Sequence, residues 1–351
     1  MNHQLYMQRC IELAQNGAGS VSPNPLVGCV IVHNNIIIGE GWHQQFGRAH
    51  AEVNAIAAVQ DKSLLNEATL YVNLEPCNHF GKTPPCADLI IQHQIKQVVV
   101  GIVDPFEKVA GNGISKLEAA GIHVTVGVLE KECRFLNRRF IKFVTQHKPY
   151  VILKWAQTHN GYIAPDAGKL TAEEFEQQRH ITGFTIQKLV HKWRTEEDAI
   201  MVGTNTALLD NPALNARAWH GKNPIRIVID RTLRLPDSLK IFDKSIPTIV
   251  FTEQQRESSQ NLTFIQIDFA KNWFDELLNH LYQHKIQSLI VEGGSQLLNS
   301  IIDANLWDEA IQFISPKTIN DGVKAPFING INYQSDTIDG VTANWLLAPQ
   351  N

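Results

Sequence analysis

Long apolar runs are missing from this 351-residue chain. Nowhere do about 18 apolar residues follow one another, the length a membrane-crossing helix needs, so no membrane partner is expected. The opening residues Met-Asn-His-Gln-Leu-Tyr-Met-Gln-Arg-Cys contain no apolar stretch of signal-peptide length. An excess of one charge is missing as well. Lys and Arg number 31 against 35 Asp and Glu, a formal net charge of −4. Neutralising a phosphate backbone takes a local excess of cations, so no nucleic-acid partner is expected. Cysteine is scarce and odd in number: Cys10, Cys29, Cys77, Cys86 and Cys133. Five scattered cysteines make no disulfide framework and point to a reducing compartment, the cytoplasm. What is present is ordinary globular material: 44% hydrophobic residues and enough length for two domains, each with its own core.

The first half alternates helix and strand signals. Leu5 to Asn16 has apolar residues at helical spacing and stops at Gly17. Val27 to Val32 and Ile36 to Ile38 are β-branched runs around His33-Asn34-Asn35, a hairpin signal. A helix is predicted from His50 to Val59, a strand from Thr69 to Asn73, and a helix from Pro84-Pro85 to about His93. Strand Gln97 to Val103, helix Ile114 to Ala120, strand His123 to Val128 and a basic amphipathic helix from Lys131 to Phe143 follow. Polar Gln146-His147-Lys148-Pro149 marks a boundary, which divides the chain into residues 1–147 and 148–351. Beyond it strands are predicted at Tyr150 to Ala156, Ala199 to Gly203, Ile225 to Asp230, Thr248 to Phe251, Ser288 to Glu292 and Glu309 to Ile314. Helices are predicted at Gly183 to Glu197, Asn272 to His284 and Ser295 to Ala304, with Pro165 to Gln178 as an exposed polar excursion. Alternation of this kind implies sheets with helices on their faces, an α/β fold class.

His50-Ala51-Glu52 and Pro76-Cys77-(x8)-Cys86 bring together the residue types of a catalytic zinc site. One imidazole and two thiolates leave the fourth tetrahedral position to water, and the metal brings that water's pKa toward about 7. Both cysteines are expected at helix starts, where the positive end of the helix favours thiolate. His50 is expected at the very start of its helix, with Glu52 turned into the pocket to carry protons between water, ring nitrogen and departing amine. Together these motifs form the pattern of zinc-dependent base deaminases. A closed structural site with His79 as fourth ligand is the alternative the residues leave open.

Three segments carry a more specific likeness: Asn24-Pro25-Leu26-Val27-Gly28, His50-Ala51-Glu52, and Glu75-Pro76-Cys77-Asn78-His79-Phe80-Gly81-Lys82-Thr83-Pro84-Pro85-Cys86. With Asp104-Pro105 and Val109-Ala110-Gly111-Asn112-Gly113 they resemble the bifunctional deaminase–reductase family of bacterial riboflavin biosynthesis. The likeness covers nearly the whole chain. It implies a cytidine-deaminase-like three-layer domain followed by a dihydrofolate-reductase-like domain. It also implies zinc and NADPH as cofactors, a small phosphorylated diaminopyrimidine as substrate, and a homo-oligomer. Asn24, His43, His79, Lys82 and Asp104 would line the deaminase pocket, where Asn and Asp suit a pyrimidine edge and Lys82 a phosphate.

For the second half no Gly-x-Gly-x-x-Gly follows a first strand, so the usual dinucleotide fingerprint is absent. Val291-Glu292-Gly293-Gly294-Ser295 ends a strand and opens a helix, a turn that lets a phosphate approach backbone. The resemblance assigns Ala156, Thr206, Asp210, Gly293, Gly294 and Ser295 to the cofactor. It assigns Arg194, Leu214, Arg217 and Glu292 to the reductase substrate, and it marks Lys154 as a site residue. Gln157-Thr158-His159-Asn160-Gly161 and His180 depart from the family's usual residues, and no cofactor contact is assigned there. The competing readings are a deaminase of a tRNA base or free nucleoside, a zinc-stabilised binding protein, and a deaminase whose reductase half is inactive.

Overall fold

The computed structural model describes residues 2–78, 84–106, 110–166 and 168–349. It divides into two compact units, one ending at His147 and one beginning at Lys148.

The first unit runs α1 (His3–Gln15), β1 (Gly28–His33), β2 (Ile36–Trp42), α2 (Ala51–Ala58), β3 (Thr69–Leu74), α3 (Cys86–Gln92), β4 (Gln97–Ile102), α4 (Asn112–Ala119), β5 (His123–Val126), α5 (Glu130–Leu136) and α6 (Arg138–Gln146). Its described strands form one sheet in the order β2-β1-β3-β4-β5. The β1–β2 hairpin turns at Asn34 and Asn35, both at positive φ, as its two-residue loop requires. β3, β4 and β5 are parallel. Alternation along the strands explains the three layers. Ile31, Leu70, Val72, Val98 and Val100 pack against Ala55 and Ile56 of α2 and Ile90 of α3. Their neighbours Val30, Val32, Tyr71 and Val99 pack on the opposite face against Met7, Cys10 and Ile11 of α1. Each such side chain fully removed from water contributes about 1.5–3 kcal/mol. At Gly28 a Cβ would fall 2.0 Å from the Cys10 carbonyl oxygen, so only glycine lets α1 lie this close to β1.

The single helix predicted from Lys131 to Phe143 is instead α5 and α6, broken at Asn137. The Asn137 side chain is buried and turned inward. Its Oδ1 accepts from the Leu26 N–H at 2.8 Å and its Nδ2 donates to the Leu26 carbonyl at 3.0 Å. Asn73 holds the same segment, accepting from the Gly28 N–H at 2.7 Å and donating to the Leu26 carbonyl at 2.9 Å.

The second unit runs β6 (Tyr150–Thr158), β7 (Tyr162–Pro165), α7 (Ala172–Arg179), α8 (Phe184–Glu196), β8 (Ala199–Val202), α9 (Thr204–Asp210), β9 (Ile225–Ile229), β10 (Thr248–Thr252) and β11 (Leu262–Gln266). It continues with α10 (Trp273–Gln283), β12 (Ser288–Val291), α11 (Ser295–Asp303), β13 (Glu309–Ser315), β14 (Gly322–Lys324), β15 (Ile331–Ile338) and β16 (Val341–Leu347). The main sheet has the order β11-β10-β9-β8-β12-β6-β13-β16-β15. It is parallel from β11 to β13 and antiparallel beyond. α10 and α11 cover one face through Phe274, Leu277, Leu281 and Leu298, and α8 covers the other through Ile186 and Val190. The stretch from Pro165 to Gln178, expected as an excursion, holds all of α7 but its last residue, Arg179. A capping box between Thr171 and Glu174 starts that helix. The strands β7, β11 and β14 to β16 and the short α9 were not predicted from the sequence.

Candidate active sites

In the first unit three donors meet where β3 and two helices end or begin. His50 is the N-cap of α2, its backbone still extended, so its ring is free to turn away from the helix axis. Cys86 opens α3 directly after Pro85. Cys77 does not open a helix as expected. It lies in the loop after β3, where its Sγ accepts from the Cys86 N–H at 3.3 Å. His50 Nδ1 is 3.5 Å from Cys77 Sγ and 3.3 Å from Cys86 Sγ, and all three donor atoms lie within 4.8 Å of one another. A tetrahedral zinc ion bonded to N and S at about 2.1 and 2.3 Å sets its donors about 3.6 Å apart, so the cluster fits that ion. The hydrogen bond from Cys86 holds the Cys77 sulfur well below an ordinary thiol, the direction a thiolate ligand requires. His79, the alternative fourth ligand, lies outside the described residues, and among those described no fourth donor joins the three.

Glu52 is the second residue of α2, within its first turn, and is buried, 3% exposed. Its Oε2 has no hydrogen-bond partner among the described residues. Burial, and after it the neighbouring Cys77, pushes its carboxyl up to about 7. An unpaired buried oxygen beside the donor cluster is where a carboxyl waits for a proton that arrives with substrate and water. His50, Cys77 and Glu52 line a cavity of about 400 Å³ together with Asn24, His43 and Asp104. Asn24 Nδ2 is 3.0 Å from His43 Nε2, and His43 Nδ1 is 3.0 Å from the Ala49 carbonyl oxygen. Burial lowers the His43 pKa, so the neutral ring donates to Ala49 and accepts from Asn24, which fixes the Asn24 amide for a ring edge. Lys82 lies outside the described residues. Sequence reasoning missed Phe46, Arg48, Phe106 and Phe140, which also line the cavity. The three aromatic rings suit a planar ligand, but Phe46 and Phe106 stand singly in loops and Phe140 sits within the period of α6, so none carries a spacing signal for the site.

In the second unit the carboxyl ends of β8, β9 and β12 open on a cavity of about 940 Å³. Ala156, Thr206, Asp210, Gly293, Gly294 and Ser295 all line it, as do Lys154 and Glu292. A Cβ on Gly294 would come 3.0 Å from Thr206 Oγ1, so side chains are excluded where the strand meets α11. The ends of parallel strands are where such sheets bind nucleotides, and this narrow glycine approach fits a pyrophosphate. His180, given no cofactor contact from the sequence, also lines this cavity, because α7 folds over it. Arg194, Leu214 and Arg217 are not among the lining residues. Leu214 is a core residue at positive φ, and Arg217 Nη1 donates to Asn215 Oδ1. Arg194 gives its guanidinium to Glu292 and to the Asn215 carbonyl. Two further cations missed by the sequence, Arg231 and Arg234, stand at the β9 end of the cavity.

Residues 1–102 match the cytidine and deoxycytidylate deaminase zinc-binding region, and residues 149–339 match the RibD C-terminal domain. A riboflavin biosynthesis protein RibD from Aquifex aeolicus strain VF5 is 40% identical over 91% of this chain and 88% of its own length. A second, from Actinobacillus pleuropneumoniae, is 39% identical over 90% and 84%. The chain belongs to the RibD family. Among solved structures, the Thermotoga maritima diaminohydroxyphosphoribosylaminopyrimidine deaminase/5-amino-6-(5-phosphoribosylamino)uracil reductase superposes with a TM-score of 0.89 at 36% identity, covering 99% of both chains. RibD from Acinetobacter baumannii gives 0.86 at 33% identity over 99% of each. As a RibD family member the chain is a bifunctional deaminase and reductase of riboflavin biosynthesis. Its two halves are cytidine-deaminase-like and dihydrofolate-reductase-like, and they imply Zn²⁺ and NADPH. Among the described residues no helix is long and apolar enough to cross a membrane.

Proposed function

We propose that residues 1–147 deaminate 2,5-diamino-6-(5-phosphoribosylamino)pyrimidin-4(3H)-one and that residues 148–351 reduce the ribose of the product, giving 5-amino-6-(5-phosphoribitylamino)uracil. The observation that carries the first step is Glu52. Its buried Oε2, without a partner among the described residues, stands beside a three-donor cluster that opens into a cavity of about 400 Å³. His50, Cys77 and Cys86 would hold zinc, which when bound supplies a Lewis acid that makes an attacking water nucleophilic at neutral pH. Glu52 Oε2 takes the proton from that water, delivers it to the ring nitrogen beside the reacting carbon, and serves the departing amine. Asn24, positioned by His43, and Asp104 read the pyrimidine edge by hydrogen bonds. His79 and Lys82 retain the roles the family likeness gives them, with Lys82 toward the phosphate.

In the second cavity Gly293, Gly294 and Ser295 would take the pyrophosphate of NADPH, with Ala156, Thr206 and Asp210 along the cofactor. The cofactor when bound supplies the hydride. Lys154 is half-buried, and desolvation lowers its pKa, which suits a donor to the developing alkoxide. Glu292, held by Arg194, orients the sugar, and Arg194, Leu214 and Arg217 shape the substrate side. The free thiols and unpaired cysteines support a cytoplasmic setting. We read the enzyme as a homo-oligomer, in which a second copy would cover exposed residues such as Phe327 and Ile331. The test is to supply the diaminopyrimidine phosphate with NADPH and follow ammonia release and NADPH loss separately. Both are expected, with the reduction depending on prior deamination. NADPH loss without ammonia would refute the order, and neither product would refute the substrate.

A further inference from the structure

Glu75 lies two residues before the Cys77 donor and is buried, 4% exposed, and among the described residues its carboxylate is met by backbone and not by a cation. Its partners are four backbone N–H groups. Asp104 and Gly111 donate to Oε2 at 3.0 and 2.9 Å, and Gly113 and Ile114 donate to Oε1 at 2.8 and 3.2 Å. Gly113 and Ile114 open α4, whose N-cap Gly111 offers no side chain. A distant carboxylate therefore fills the place of an N-cap residue and meets the positive end of the helix. The fit is close, since a Cβ on Gly113 would fall 2.0 Å from the Pro76 carbonyl oxygen. The same side chain fixes the backbone of Asp104, which lines the zinc-side cavity.

We propose that Glu75 is a positioning residue of the deaminase: it locks the backbone of Asp104 and the start of α4 to the strand end that carries Cys77, and so sets the distance between the substrate-reading wall and the metal donors. This rests on the reading that Asp104 contacts the pyrimidine. Glu75→Gln keeps the volume but turns one acceptor oxygen into a donating amide, so two of the four N–H groups lose their partner. The expected result is zinc retained at full occupancy, KM for the diaminopyrimidine raised about tenfold, and kcat changed by less than about threefold. NADPH oxidation with the deaminated intermediate stays at the wild-type rate. A purely structural role would instead lower zinc content and kcat together. Should that variant lose its metal, Glu75→Asp, shorter by one methylene, makes the same comparison. Because Glu75 acts through Asp104, Glu75→Gln adds little to KM in an Asp104→Ala background. A wild-type KM in zinc-loaded Glu75→Gln, or full additivity with Asp104→Ala, overturns the proposal. An Asp104→Ala variant with wild-type KM beside an impaired Glu75→Gln overturns instead the reading of Asp104.

Discussion

Arg194 and Glu292, 98 positions apart in sequence, meet in a two-pronged ion pair with Nε–Oε1 at 2.9 Å and Nη2–Oε2 at 2.7 Å. Their side chains are only 12% and 9% exposed. Lys154 Nζ stands 3.6 Å from the same Oε2. Burial alone would raise the Glu292 pKa, but Arg194 and then Lys154 outweigh it and bring the carboxyl down to about 2. The pair thus ties α8 to the end of β12, one residue before Gly293. The reductase cavity is held by charge on the side where it is held by glycine for the cofactor.

Removing one partner of a buried pair leaves the other charge uncompensated, at a cost of about 3–5 kcal/mol. Arg194→Ala is therefore expected to lower the unfolding temperature of the second unit and to abolish most NADPH oxidation, while ammonia release continues. Arg194→Lys should not rescue it, because an ammonium cannot bridge both oxygens. Separate ammonia and NADPH assays decide this. An equal loss of both activities would contradict two independent sites.

Glu52→Gln removes the proton carrier but none of the three metal donors. Ammonia release is expected to fall by about 10²-fold or more, with zinc content unchanged by metal analysis. A neutral amide also replaces a carboxyl that burial already pushes up to about 7, so thermal stability at neutral pH should hold or rise. A variant that deaminates at the wild-type rate would remove Glu52 from the mechanism.

The zinc donors were legible because the roles demand particular residue types at short spacing: His50 and Glu52 two apart, and two cysteines beside prolines. Strand and helix periods likewise gave most of both sheets. The break at Asn137 was not legible, since the basic amphipathic period runs straight through it and the cause is a contact with Leu26, 111 residues away. α7 was missed because it carries charge on every face and no apolar stripe, so only its capping box marks it. β15 is largely exposed and polar and reads as loop. Glu75 had no visible role because its partners are backbone groups, which every residue owns.

His191 gives the second unit a pH dependence. It is 7% exposed, and its Nδ1 has no partner among the described residues. Burial, then Arg194 and Arg217, lower its pKa to about 4. An unfolded chain binds this proton near pH 6.5, so between about pH 6.5 and 4 the unfolded state holds more protons than the folded one. Stability from this site is complete above that window and is lost as pH falls through it. The Glu292 contribution goes only lower, between its ordinary value near 4.5 and about 2. All seven tryptophans except Trp42 lie beyond Lys148, so tryptophan fluorescence follows this unit. Its unfolding midpoint should drop from pH 7 to pH 5, and His191→Gln should flatten that slope. An unchanged slope in the variant would assign the effect to other groups.

Arg231 and Arg234 follow β9 on a turn fixed by Asp230, whose carboxylate accepts from the Arg234 and Leu235 N–H groups, both at 3.0 Å. Among the described residues the two guanidiniums hold exchangeable partners: Glu253 at 2.7 Å from Arg231, and Asn205 Oδ1 at 2.7 Å from Arg234. Exposed pairs of this kind are worth about 0.2–1 kcal/mol, less than a two-pronged contact to phosphate. Both line the cavity, and two guanidiniums on one turn suit the extra phosphate of NADPH. Replacing both by alanine is expected to raise KM for NADPH about tenfold or more and to leave KM for NADH nearly unchanged. The rise should shrink at high salt, where the wild-type contact is itself screened. Steady-state kinetics with the two cofactors settles it, because a parallel rise for NADH would mean that these arginines support the cavity wall and do not read the phosphate.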